Sequence, residues 1–186
     1  MTSPDWPGLL ELAVEQAGYV TTADAAALGF SPELLIHHVG AGRLERARRS
    51  IYRVVHLPAA NDEDLVVIWL WSKRRGVFSH RTALALHQLS DLLPAQVDLT
   101  LPTSDAGRRL RVPDGVRLHH AEVADADRVW IGNVPVTSVL RTLQDCAALP
   151  IAPDLLHQAL DEAEHRGLAR RADLDRIAAR ASADNR

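Results

Sequence analysis

The period of the apolar residues changes several times along this chain, and each change marks an element. From Asp5 to Ala17 the positions Leu9, Leu10, Leu12, Ala13 and Ala17 follow helical spacing, and Gly18 stops the run. Thr21 or Thr22 then caps a second helix, ADAAALG, which Gly29 ends. Ser31, Pro32 and Glu33 start a third helix with proline at its first position; it reaches Val39 or Ala41 and stops at Gly40 and Gly42. The stretches 43–46 and 50–55 alternate in the strand manner around a turn at Ala47, Arg48 and Arg49. Pro58, Ala59, Ala60 and Asn61 predict a boundary, which sets a first domain over 1–58 and a second over 59–186.

The second domain reads as mixed. Residues 62–75 are helical and strongly apolar (LVVIWLW), so Trp69 and Trp71 are assigned to core and inter-domain packing. Ser79 caps a helix from His80 to Leu89 that ends before Leu93 and Pro94. Short strands follow over 97–101, 116–119, 129–131 and 134–136. Thr137 or Ser138 starts the helix VLRTLQDCAAL, ended by Pro150. Two more helices, 153–166 and 171–181, flank Gly167, and the tail from Ala183 to Arg186 is expected to fray. No regular βαβ rhythm runs through these elements, so the fold class is α+β. A winged helix-turn-helix is followed by a mixed α/β domain with a small sheet and packed helices.

The order of the first domain, two short helices with a turn and then a tight basic hairpin, points to DNA. Net charge changes how that binding must work. With 21 Lys and Arg against 24 Asp and Glu, the chain of 186 residues carries −3, so contact with a polyanion needs a local cluster. Arg43, Arg46, Arg48, Arg49 and Arg53 supply one, interrupted only by Glu45. Arginines that neutralise phosphates release counterions, which makes affinity fall steeply with salt. They position the protein without specifying sequence.

Reading bases is the work of the helix from Pro32. With Leu35, Ile36 and Val39 as its inward face, Glu33, Leu34, His37 and His38 are left for DNA. Glu33 can accept from a cytosine amino group, and the histidines can donate to guanine or phosphate. Glu33 is equally a first-turn carboxylate favoured by the helix dipole. Thr22 and Ser31, at the two helix starts, complete the expected DNA-facing set.

These residues carry a resemblance. The segment GYVTTADAAALGFSPELLIHHVGAGRLERARRSIYRV closely resembles the N-terminal winged helix of the AbiEi antitoxins, the antitoxin half of AbiE-type (type IV) toxin–antitoxin systems. FSHRTALALHQLSDLLPAQVDLTLP (78–102) and VPVTSVLRTLQDCA (134–147) look like the same family, in the same order. The resemblance implies a winged helix that represses its own promoter through repeat sequences, as a homodimer or as monomers side by side. It also implies a C-terminal domain that opposes a nucleotidyltransferase-like toxin. An orphan regulator, or a protein-interaction module without a toxin, is the alternative.

Catalysis finds little support in the residues. Ser79 and His80 are expected to point apart, which is no nucleophile–base pair. Asp125 and Asp127 read as a solvated loop, and Arg141 with Asp145 as an intrahelical ion pair. His119 and His120 face opposite sides of a strand, and adjacent His37 and His38 cannot share a metal either. No phosphate-binding glycine loop or zinc spacing occurs, so the expectation is no enzyme, no cofactor and no metal. The single cysteine, Cys146, cannot form an internal disulfide, which fits a reducing cytosol. The start MTSPDWPG has no secretory pattern and the longest apolar run is too short to span a bilayer, so a cytoplasmic protein off the membrane is expected.

Overall fold

The computed structural model describes residues 3–91, 93–149 and 153–184. Met1 and Thr2 of the start, the expected stop at Pro150, and Asn185 and Arg186 of the tail lie outside them. The chain divides into two compact units, one running to Arg74 and including Gly132–Val134, the other holding 75–131 and the residues from Pro135 onward.

In the first unit the order is α1 (Trp6–Glu15), β1 (Tyr19–Thr21), α2 (Thr22–Ala27), α3 (Pro32–Gly40), β2 (Leu44–Arg48), β3 (Ile51–Val54) and α4 (Glu63–Trp71). The three strands form an antiparallel sheet in the order β1-β3-β2. Asp5 starts α1 by accepting from Gly8 N–H at 3.0 Å, with Pro7 in the first turn where no backbone donor is needed. Leu9, Ala13, Val20, Ala25, Phe30, Leu35, Leu44 and Val54 form one buried cluster, so all three helices pack their apolar faces onto the sheet. After an acidic first turn, helix α4 is apolar from Leu65 to Trp71 and buries Val66 to Leu70, as expected of an enclosed helix. Asp62 precedes α4 but does not cap it through its side chain. Its carboxylate accepts from the backbone N–H of Asn133 at 2.8 Å instead.

The second unit is built on a five-stranded mixed sheet, order β6-β5-β4-β8-β7. Its strands are β4 (Val77–Phe78), β5 (Val97–Leu101), β6 (Val116–His120), β7 (Arg128–Ile131) and β8 (Val134–Thr137). Strand β4 pairs antiparallel with β5 and parallel with β8, and β5 pairs parallel with β6. Helices α5 (His80–Leu86), α6 (Val139–Ala147), α7 (Pro153–His165) and α8 (Arg171–Asp184) share a core of Leu84, Leu143, Leu160, Leu174 and Ile177. The architecture is α+β, as the pattern predicted. Helix α8 runs on to Asp184, past the expected stop. Strand β4 was not foreseen, since two residues are too few to show a period.

Candidate nucleic-acid interface

The interface begins at the capped starts of α2 and α3. Thr21, not Thr22, caps α2: its hydroxyl accepts from Asp24 N–H at 3.1 Å while its own N–H donates to the Asp24 carboxylate at 2.8 Å. This reciprocal pair satisfies two otherwise orphaned donors. Thr22 is therefore the first helical residue, and its N–H donates to the carbonyl of Ser50 at 2.9 Å. That bond ties the start of α2 to the tip of the β-hairpin. Burial alone would raise the Asp24 carboxyl, but hydrogen bonds from Arg74 and Thr21 outweigh it and hold its pKa below the usual carboxylate value. Arg74 reaches it at 2.7 Å and also donates to Gln16, bracing α2 against the end of α1.

Ser31 caps α3 by accepting from Leu34 N–H at 3.2 Å. Glu33 is exposed, and its own backbone N–H and the Ser31 hydroxyl hold its carboxyl below the usual range. It is thus an acceptor at neutral pH. Leu34 is half-buried and packs against the core, while His37 is exposed. Two neighbours exchange the faces the sequence predicted. His38 points inward with 7% exposure and stacks on Trp6, whereas Ile36 is 68% exposed. Hydropathy favoured Ile36 for the core, but Trp6 of α1 supplies an aromatic surface that suits a flat imidazole. Burial, then Arg43 and His37, lower the His38 pKa, so its ring stays neutral.

The hairpin carries the charge. Gly42, in the left-handed region at φ +69° and with open space around it, turns the chain from α3 into β2. Leu44 pairs with Val54, Glu45 with Arg53 and Arg46 with Tyr52, then a bulge at Ala47 brings Arg48 opposite Ile51. Strand β2 runs on to Arg48, past the expected 43–46, whereas β3 is shorter than the expected 50–55. The turn is correspondingly Arg49–Ser50, with Ser50 at φ 65°. Arg46, Arg48 and Arg49 are exposed, and they join no ion pair among the described residues. Arg43 is exposed at the base, its guanidinium 5.9 Å from the centroid of the Trp6 ring. Arg53 is placed differently. It donates to the Leu57 carbonyl at 3.0 Å and pairs with Glu63 at 3.7 Å, its side chain only 19% exposed. It locks β3 to the chain that follows it.

Topology, caps and basic hairpin together describe a winged helix-turn-helix. Residues 9–55 match the model of the family described as transcriptional regulator, AbiEi antitoxin. This segment is similar to the AbiEi-type regulators. Among solved structures, the crystal structure of the RV2827C protein from Mycobacterium tuberculosis is similar, at TM-score 0.48 and 16% identity over 92% of this chain and 79% of that one. No curated protein matches the chain.

Outside the matched segment, unit two gathers most of the titratable residues the sequence drew attention to. Ser79 and His80 do not diverge as expected. His80 sits at φ 51°, which turns its ring back so that Nδ1 lies 2.9 Å from Ser79 Oγ. Ser79 accordingly makes no side-chain cap bond and accepts from the Thr100 hydroxyl at 2.7 Å. The His80 ring stacks on His119 at 3.7 Å, and His119 Nε2 meets the buried Asp98 carboxylate at 2.8 Å. Hydroxyl and carboxylate thus bond to different histidines, and Ser79 is fully buried. A serine nucleophile relayed through one imidazole needs both partners on the same ring and an open hydroxyl.

The remaining residues are simply placed. Arg141 pairs with Asp145 at 2.8 Å, one helical turn away, and with Asp127 at 3.6 Å. Asp125 is fully exposed. Burial pushes the Cys146 thiol up to about 12, which leaves it unreactive. No group of three or more His, Cys, Asp or Glu able to hold a metal occurs among the described residues. Among them, too, no helix is long and apolar enough to cross a membrane.

Proposed function

We propose that this chain is a sequence-specific repressor that binds double-stranded DNA at repeat sequences in its own promoter. One observation carries the reading: an exposed stripe of α3 lies in the same small unit as a hairpin whose Arg46, Arg48 and Arg49 are exposed and join no ion pair among the described residues. In this arrangement α3 enters the major groove and the wing grips phosphates. Glu33 and His37 would approach base edges, and Thr22 and Ser31 the backbone near the helix starts, while Leu34, packed on the core, would act by holding α3 in place. His38 and Arg53 would act indirectly, by fixing α3 and β3. The second unit would neutralise a nucleotidyltransferase-like toxin, the partner that the AbiEi antitoxin family implies.

The test is an anisotropy titration against the DNA upstream of its own gene and against random DNA, at two salt concentrations. Phosphate contacts from the four exposed arginines Arg43, Arg46, Arg48 and Arg49 give a log–log salt slope of about −3 to −4. Preferential binding with such a slope supports the repressor; equal binding to both DNAs refutes autoregulation. Co-expression with a nucleotidyltransferase-like protein encoded beside it tests the second unit. Rescue of growth that is lost when the residues after Arg74 are deleted is the expected result.

A further inference from the structure

Helix α3 presents one stripe that is exposed throughout. Glu33, Ile36, His37 and Gly40 are spaced i, i+3, i+4 and i+7, which places them on one face. Leu35 is buried on the opposite side, with Leu34 and Val39 packed on the core. The stripe holds neither lysine nor arginine. A helix that only gripped phosphate would carry cations or small hydroxyls there, and in this unit the wing supplies the cations. What remains on α3 is one carboxylate, one imidazole and, between them, a branched apolar side chain that is 68% exposed.

A single exposed apolar residue on an arbitrary surface has no meaning. At the centre of a base-reading stripe it has one. The edges of the base pairs in the major groove are polar except at one group, the C5 methyl of thymine. Ile36 is large enough to bury that methyl and has no polar atom with which to read anything else. We infer that Ile36 is a specificity-determining residue that packs on a thymine methyl in the major groove; this rests on the DNA-binding role proposed for α3. Glu33 lies one turn earlier, displaced by about 4.5 Å along the axis. The thymine therefore lies within a base pair or two of whatever Glu33 contacts.

The experiment selects a preferred duplex from a random library with the full chain, then replaces each thymine of that duplex by deoxyuridine in turn. Deoxyuridine keeps every hydrogen-bonding group and loses only the methyl. One position is expected to weaken wild-type binding about fourfold, the value of one buried methyl-sized group. The same replacement should leave Ile36→Ser unaffected, while Ile36→Val keeps the penalty. A selected sequence at which Ile36→Ser and wild type respond alike to every deoxyuridine overturns the assignment and leaves DNA binding intact. Failure to enrich any sequence refutes the reading role of α3, and the thymine contact with it.

Discussion

The imidazole of His38 lies nearly flat on the indole of Trp6, with ring centroids 4.8 Å apart and planes 21° apart. This contact joins α1 to α3, and Arg43 stands over the same indole at 5.9 Å. The pose of α3 thus depends on a residue outside it. His38→Ala removes a buried ring and should destabilise the first unit by roughly 2–3 kcal/mol. His38→Phe keeps the stack and removes Nδ1, which is buried with no hydrogen-bond partner among the described residues. It should be close to neutral in stability. Urea denaturation checks both, and equal losses for the two variants would rule out the stack as the stabilising element.

The wing divides its arginines into two kinds. Arg48→Ala and Arg49→Ala should weaken binding to all DNA alike, each lowering the salt slope by about 1. Arg53→Ala should change the slope little and instead cost stability, because its guanidinium holds the Leu57 carbonyl and Glu63. Titrations at several salt concentrations, paired with thermal melts, separate the two effects. A slope that falls as much for Arg53→Ala as for Arg48→Ala would put Arg53 on phosphate.

Much of this architecture was written locally. Ser31-Pro32-Glu33 marks the start of α3, because cap and proline chemistry act within one turn. Helix α6 was legible for the same reason, at Ser138. What the sequence could not show were choices made by distant partners. Ile36 and His38 exchanged faces because Trp6, on another helix, accepts a flat ring. Arg53 looked like one more wing cation until Leu57 and Glu63 came within reach. The Ser79–His80 contact depends on a left-handed backbone at a residue that is not glycine, for which no sequence signal exists.

Asp24 links three parts of the first unit through one carboxylate, which accepts from Thr21 N–H, the Thr21 hydroxyl and Arg74. Its pKa is held low, so the folded state favours the ionised form. That stability is complete above the unfolded value and is lost as pH falls through the folded one. Asp24→Ala should cost roughly 1–2 kcal/mol at neutral pH, from the lost cap and the stranded donors. The variant should also be less sensitive to acid below pH 4 than wild type. Denaturation midpoints at pH 7 and pH 3 measure this, and an unchanged midpoint at pH 7 would remove Asp24 from the account of α2.

His80 gives the second unit a pH dependence of the same sign in a higher pH window. Burial first, and then the neighbouring His119, Arg141 and Arg117, push its pKa down to about 4 from 6.5, with Asp98 opposing. The folded chain therefore holds the ring neutral while the unfolded chain takes up a proton below about 6.5. Stability is full above 6.5 and falls as pH drops toward 4, where the loss levels off. Each pH unit inside that window costs about 1.4 kcal/mol, or roughly 2 kcal/mol between pH 6.5 and 5. His80→Gln cannot take up that proton, so it should lose less stability than wild type over the same interval. Urea denaturation of the two proteins at pH 7.5 and 5 compares them directly, since all other groups are shared. Parallel losses would mean that His80 is protonated in the folded chain well above pH 4, and that its stack on His119 accommodates the charge.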